Sequence, residues 1–348
     1  MSMRRLSYLL VAVLLVASAP SSWAAAKAGA KCTTKDLVVK SGKQSLVCKK
    51  SGKTLKWSVQ KSGGEQKPSN PGTGDSQLSA LEEYAKKLVA QRIPGVPKLK
   101  TSLQSPDDKA VIQMTENAQY AFSVYESIAP LGYTPQWIVG EKESWVKDKL
   151  NSNNCTNIAK FISPNQGSAG CELAVVWRAP DVRNDLIMQN TMLVQGGHEL
   201  FHLYQTQRWG QYWDRVPDWV REGSANVGMN IILANFDGGK SFANYSTARK
   251  VEMSPRDKAT CEASLQKWES NNTAEGFGNN KGCEYGLGLL MNEFLITKGF
   301  TLNDTLEMIG LIGLGTDFPT AFEKTYGMST AKYFSELRVY LKTQNYGW

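Results

Sequence analysis

The hydrophobic pattern first separates a short apolar run at the beginning of the chain. Residues 6–17 are apolar and follow Arg4 and Arg5, and small residues come next, with a plausible cleavage site at Ser22-Trp23-Ala24. An apolar run of about 12 residues is too short to span a membrane but is typical of a secretory signal peptide. We therefore expect residues 1–24 to be a signal peptide and the mature chain to be secreted, without a transmembrane segment.

The next two segments differ sharply in pattern. In residues 29–60, short apolar runs alternate with Ser-Gly-Lys turns, a pattern that predicts a small module of two or three strands. Residues 61–77 are almost entirely polar, Gly or Pro, which predicts a flexible linker. The remaining residues, 78–348, are then expected to form one large domain.

Helical spacing dominates this large domain. Ser105-Pro106-Asp107-Asp108 is typical of a helix cap with Pro at the first helical position, and a helix is predicted from there to about Ile128. Its expected core side carries Val111, Met114, Ala118, Phe122 and Tyr125. Strands are predicted at 135–139 and 173–177, and further helices at 185–205, 289–295, 302–312, 320–327 and 330–341. The predicted fold class is α+β: a small sheet and one central helix, followed by a mostly helical C-terminal lobe.

Six cysteines occur as three pairs that are local in sequence. An even number of cysteines in an exported chain indicates disulfide bonds. Because each local pair closes a short loop within one segment, we predict the bonds Cys32–Cys48, Cys155–Cys171 and Cys261–Cys283. Metal ligation by cysteine is disfavoured, since no two cysteines have C-x-x-C spacing.

The positive charge is concentrated at the front of the chain. Residues 1–75 hold 13 Lys/Arg against 3 Asp/Glu, whereas the remainder holds 27 against 29. The near-neutral body argues against nucleic acid as a partner. An anionic cell envelope is the expected partner of the basic module, which would make the secreted protein cell-wall associated; a solvated charge run is the alternative.

The strongest chemical signal is His198-Glu199-Leu200-Phe201-His202. These are the only two histidines of the chain, and residues four apart lie on one face of a helix. Two imidazoles placed in this way can hold one metal ion, with Glu199 beside a metal-bound water, which is the H-E-x-x-H arrangement of zinc hydrolases. The alternative is two satisfied histidines on an amphipathic helix. Gly196-Gly197 predicts either close backbone packing or a helix that begins later.

No other histidine remains to supply a third ligand, so the candidates are the carboxylates further along the chain. The best candidate is Glu222, 20 residues after His202 within Trp219-x-x-Glu222-Gly223-x-Ala225. With the histidine motif, this pattern resembles the gluzincin metallopeptidases, which include thermolysin-like and aminopeptidase N-like enzymes. The resemblance implies a zincin-like domain over residues 78–348, a zinc site formed by His198, His202 and Glu222, and Glu199 as general base. The alternative for Glu222 is a surface carboxylate paired with Arg221 or Arg215.

Two further residues are assigned by the same resemblance. Tyr285, 63 residues after Glu222 in Glu284-Tyr285-Gly286-Leu287-Gly288, is similar to a tyrosine of the aminopeptidase-like branch. It is implied to donate its hydroxyl to the oxyanion; a helix-capping core tyrosine is the alternative. Asn226 stands where thermolysin-like enzymes have Asp and is expected to accept a hydrogen bond from a ligand imidazole. The Gly-Ala-Met-Glu-Asn segment of aminopeptidases is missing from the sequence, which disfavours exopeptidase activity.

These observations predict a secreted zinc metallopeptidase that acts on peptide or protein substrates. The strand at Val175–Trp177 is expected to align an extended substrate by β-addition. Two alternatives stay open: a non-catalytic, zinc-containing binding protein of the cell envelope, and a zinc hydrolase of a non-peptide substrate.

Overall fold

A computed structural model describes residues 27–31, 38–41, 44–52, 54–59, 74–161, 166–178, 186–236, 258–271 and 283–343. The predicted signal peptide, Cys32 and the side chain of Cys48 lie outside the described residues, and so does the predicted Cys32–Cys48 bond. The chain divides into two compact units, residues 1–70 and 71–348. Among the described helices, none is long and apolar enough to cross a membrane.

The first unit contains the strands expected from its apolar runs. β1 (Val38–Ser41), β2 (Gln44–Ser51) and β3 (Thr54–Val59) form an antiparallel sheet in the order β1-β2-β3. The backbone N–H of Gly29 donates to the carbonyl of Trp57, which adds the preceding segment to the edge of β3. Gly52 adopts a φ of 64° in the turn between β2 and β3, a conformation that glycine takes without steric cost.

The second unit contains a mixed four-stranded sheet. Its strands are β4 (Lys100–Leu103), β5 (Gln136–Gly140), β6 (Gln166–Gly170) and β7 (Leu173–Trp177), in the order β4-β5-β7-β6. β4, β5 and β7 are parallel, and β6 is antiparallel to β7 at the edge. The strands predicted near 135–139 and at 173–177 are therefore confirmed, whereas β4 and β6 were not predicted.

Helices make up most of the rest of this unit. Their bounds are α1 (Gly74–Ala90), α2 (Lys109–Ile128), α3 (Glu143–Ser152), α4 (Thr156–Phe161), α5 (Leu186–Trp209), α6 (Asp218–Phe236), α7 (Lys258–Asn271), α8 (Cys283–Thr297), α9 (Leu302–Gly313), α10 (Phe318–Tyr326) and α11 (Thr330–Thr343). α1 begins at Gly74, inside the segment predicted as linker. The described chain is thus a mixed α/β protein, mostly helical, with small sheets, as expected.

The helix predicted before residue 128 has its expected core side but a different start. Val111, Met114, Ala118, Phe122 and Tyr125 are all buried. The carboxylate of the N-cap residue, Asp108, accepts hydrogen bonds from the N–H groups of Ala110 and Val111. This cap starts α2 at Lys109, so the prediction that Pro106 occupies the first helical position was wrong.

Side chains on the two faces of the sheet belong to two different cores, and α5 packs in the larger one. Trp137, Val139 and Val176 belong to the core that also contains α2 and α5, and their sequence neighbours Ile138 and Val175 belong to a smaller core beneath α3. A third core joins α6 to the C-terminal helices. Every residue of α5 from Gly196 to Gln205 is consequently buried except His202, which is partly exposed.

Two disulfides confirm the predicted nearest-neighbour pairing in the described part of the chain. Cys155 and Cys171 are bonded with Cα atoms 5.8 Å apart, and Cys261 and Cys283 with Cα atoms 5.3 Å apart. The first bond ties the β6–β7 hairpin to the start of α4. The second ties α7 to the first residue of α8.

The backbone conformation of the β6–β7 turn can be tested by substitution. Its two central residues, Cys171 and Glu172, have φ values of 52° and 61°, as a two-residue type I′ turn requires. A residue with a Cβ atom is strained there, so we expect Glu172→Gly to stabilise the protein by about 0.5–1 kcal/mol. Urea unfolding checks this value. Glu172→Ala, which removes the carboxylate but keeps the Cβ atom, is the control, and an equal gain in both variants would contradict the turn strain.

Candidate metal centre

The motif helix α5 places both imidazoles on one face. His198 and His202 are one helical turn apart, and their Nε2 atoms are 3.0 Å from each other. α5 begins ten residues before Gly196, so the alternative of a helix that starts after the glycine pair was wrong. Close packing explains the glycine instead: a Cβ atom on Gly196 would lie 3.1 Å from both Ala118 and Trp137.

The second helix, α6, brings Glu222 to the same point. Its Oε2 atom is 3.2 Å from Nε2 of His198 and 3.4 Å from Nε2 of His202. Glu222 is only 4% exposed, and Arg221 pairs with Asp218. Glu222 is therefore not the surface carboxylate of the alternative interpretation.

α6 crosses α8 at close range beside Glu222. A Cβ atom on Gly288 would lie 3.0 Å from the carbonyl oxygen of Trp219 and 3.2 Å from Cα of Gly223, while a Cβ atom on Gly223 would collide with the Gly288 carbonyl group. Asn292 on α8 also donates to the Trp219 carbonyl at 2.9 Å. The backbone beside Glu222 is thereby fixed against α8.

The three donor atoms have the spacing that a tetrahedral metal ion needs. Ligand atoms about 2.0–2.1 Å from a zinc ion lie about 3.3 Å from one another in tetrahedral geometry. The separations here are 3.0, 3.2 and 3.4 Å. Two imidazole nitrogens and one carboxylate oxygen are also a donor set that zinc prefers. The residues that are present therefore fit a bound zinc ion.

Asn226 determines which nitrogen of His198 faces this centre. Its Nδ2 atom donates to the backbone carbonyl of Tyr285 at 3.1 Å, so its Oδ1 atom is the group that faces Nδ1 of His198, at 2.8 Å. An amide oxygen can only accept, which places the hydrogen of the neutral ring on Nδ1 and leaves a lone pair on Nε2. The structure thus brings Asn226 to the position expected for it.

Gln205 contacts the other histidine and was missed by the sequence analysis. Its Oε1 atom lies 2.7 Å from Nδ1 of His202. The available signal was its position, three residues after His202 on the same predicted helix, where side chains are neighbours. A glutamine at that spacing was not enough by itself to indicate contact with a ligand histidine.

The charges at the centre attract a positive group. Burial alone would lower the pKa of His202, but the charge and hydrogen bond of the Glu222 carboxylate outweigh it and, with Glu199 and Gln205, raise the pKa of His202 to about 9. Burial would likewise raise the pKa of Glu222, but the charge of His202 and the hydrogen bonds of both imidazoles hold that pKa well below its ordinary value. The two carboxylates therefore favour a positive charge beside His202.

Glu199 stands beside this cluster without belonging to the three-ligand group. It is 4% exposed, and burial raises the pKa of its carboxyl group despite the two nearby histidines. Gly167 of β6 faces it so closely that a Cβ atom on Gly167 would overlap the Glu199 carboxylate. The edge strand therefore forms one wall around this side chain.

Tyr285 lies in the first turn of α8, next to the histidines. Its ring centroid is 6.1 Å from that of His198, and 40% of the residue is exposed, so it is not a core tyrosine. Partial burial and the carboxylates Glu222 and Glu199 raise the pKa of Tyr285 above its ordinary value. The phenol accordingly keeps its proton and can donate it in a hydrogen bond.

The expected role of Val175–Trp177 in β-addition was wrong. These residues belong to β7, which already pairs with β5 on one side and β6 on the other. An extended ligand cannot pair with an inner strand, because its backbone groups are already hydrogen-bonded. In the described part of the sheet, β6 is the edge strand nearest the motif.

No family model matches the chain, and no similar curated protein or solved structure was found. The predicted site residues His198, Glu199, His202, Glu222, Asn226 and Tyr285 do come together in the structure. Their roles, and the resemblance to gluzincins, stay predictions.

The crossing of α6 and α8 provides a test of what positions Glu222. We expect Gly223→Ala to destabilise the protein by about 1–3 kcal/mol, because the new methyl group collides with backbone rather than with a movable side chain. Urea unfolding measures the change. Gly310→Ala is the matched control: no atom lies within 4 Å of the new methyl group, and helix propensity favours alanine by about 1 kcal/mol. Unaltered stability of Gly223→Ala would contradict the close crossing.

Proposed function

We propose that this protein is a secreted zinc metallopeptidase of the gluzincin type. The observation that carries the proposal is the convergence of two imidazole lone pairs and one carboxylate on a single point, with a separate buried carboxylate, Glu199, beside it. An amide oxygen faces Nδ1 of each ring, so both Nε2 atoms and the Glu222 carboxylate are left in position to bind one cation.

His198, His202 and Glu222 would hold the ion. Three protein ligands leave one position open in tetrahedral geometry, which is the arrangement of catalytic rather than structural zinc sites. When bound, zinc supplies Lewis acidity and lowers the pKa of water toward 7. The disulfides are consistent with an extracellular protein.

Glu199 and Tyr285 would handle the proton and the developing charge. The raised pKa of Glu199 suits a general base that accepts the proton of the attacking water on a carboxylate oxygen and returns it to the leaving amine. The partly exposed hydroxyl of Tyr285 would donate to the oxyanion of the substrate carbonyl.

A peptide substrate is favoured by the position of β6. One edge of β6 pairs with β7, and no strand among the described residues pairs with its other edge. An extended peptide can add to such an edge by backbone hydrogen bonds. Because Gly167 of β6 faces Glu199 directly, a peptide bound along this edge would pass beside the general base.

Metal binding is the first test. Wild-type protein is expected to hold one zinc ion per chain and to unfold at a lower temperature after chelation. Glu222→Gln should retain less than about a tenth of the metal, since one of three ligands is lost. Elemental analysis and thermal unfolding measure both effects. Glu293→Gln, which alters a buried glutamate of the helical lobe, is the control and should keep its zinc.

Hydrolysis is the second test. Glu199→Gln is expected to keep its zinc and to lose at least about 100-fold in the rate of peptide cleavage, because the amide cannot accept the proton. Digestion of a peptide library with wild type and variant, each assayed for bound metal, measures this loss. Full activity of the variant would refute the role of Glu199. A zinc-loaded wild type that cleaves no peptide would favour the binding protein or the non-peptide hydrolase.

A further inference from the structure

Gln205 is a fully buried polar residue on α5, three residues after His202. Its amide group makes three short contacts. Oε1 faces Nδ1 of His202 at 2.7 Å, while Nε2 donates to the backbone carbonyl of Arg221 and to Oγ of Ser224, both at 2.9 Å. Arg221 and Ser224 flank the metal-ligand candidate Glu222 on α6, so this single side chain spans the two helices that carry the site.

The partners of Gln205 permit only one orientation of its amide group. The Arg221 carbonyl can only accept a hydrogen bond. Ser224 has one hydroxyl hydrogen, which it donates to the carbonyl of Val220 at 2.6 Å, so toward Gln205 it also acts as an acceptor. Both acceptors require the amide nitrogen. A flipped amide would place its oxygen against two acceptors, and therefore Oε1 has to face His202.

From this orientation we infer that Gln205 is a positioning residue for the metal ion. The amide oxygen requires the hydrogen of the neutral His202 ring to be on Nδ1, which directs the lone pair of Nε2 toward His198 and Glu222. Asn226 does the same for His198. The two histidines then present two neutral nitrogen donors to a metal ion. Nitrogen donors suit a divalent transition metal such as zinc, whereas calcium and magnesium prefer oxygen ligands.

Two substitutions at this position separate the hydrogen bond from the packing. Gln205→Met keeps a similar volume but has no acceptor for Nδ1, and we expect zinc affinity to fall about 10–100-fold. Gln205→Glu, as the neutral acid, can still accept from Nδ1 and donate to the Arg221 carbonyl, and it should restore most of that affinity. Competition with a chromogenic chelator measures the affinities. The visible spectrum of the cobalt-substituted protein reports whether the ligand geometry has changed.

The matched control is Gln119→Met on α2. Gln119 also makes two hydrogen bonds, to the N–H of Leu99 at 2.8 Å and to the carbonyl of Pro97 at 3.1 Å, but it does not contact the histidines. This variant should lower the stability of the metal-free protein and leave zinc affinity unchanged. Wild-type affinity and an unchanged cobalt spectrum in Gln205→Met would overturn the inference.

A measurement on the wild-type protein covers the case in which Gln205→Met does not fold. Nitrogen-15 NMR of the zinc-loaded protein should show both histidines bound through Nε2, with Nδ1 protonated. Coordination of His202 through Nδ1 would overturn the role of Gln205. The inference rests on the proposed metal site but not on peptide hydrolysis: wild type that binds no zinc would overturn both, whereas a zinc-loaded protein without peptidase activity would leave the role of Gln205 intact.

Discussion

The burial of two imidazoles and a carboxylate against one another is the constraint on which the rest of this structure depends. Polar groups removed from water are costly unless each donor and acceptor finds a partner. Here the outer nitrogens of the rings are satisfied by amide side chains, and the inner nitrogens share the negative charge of Glu222. Such an arrangement requires α5 and α6 to be held at a fixed separation, because small shifts would break several hydrogen bonds together.

Glycines at helix contacts let α5 and α6 each pack closely against their other neighbours. Gly196 lets α5 approach Ala118 and Trp137, and Gly223 lets α6 touch the backbone of α8 at Gly288. The buried hydroxyl of Tyr125 adds a polar link by donating to the carbonyl of Gly197 at 3.0 Å. The packing that stabilises the domain therefore also positions the three ligand atoms.

The sequence predicted best those features that depend on neighbours along the chain. The histidine pair, α2 with its core side, the strand β7 and two disulfides all follow from local spacing. β4 and β6 were not predicted, because their sequences, Lys-Thr-Ser-Leu and Gln-Gly-Ser-Ala-Gly, show no alternation of apolar and polar residues. The inner position of β7 could not be foreseen, since strand order is a tertiary property. Gln205 was missed for the same reason: two of its partners lie on another helix.

Asn226 joins the two sides of the site through one amide group. The same side chain holds the ring of His198 and the carbonyl of Tyr285, so the first turn of α8 and a metal-ligand candidate cannot move independently. Thermodynamic linkage makes such coupling reciprocal. A metal ion that orders His198 therefore also orders the first turn of α8, which carries Tyr285. In return, a molecule that binds at Tyr285 and orders this turn increases the affinity of the three-ligand centre for the ion by the same free energy.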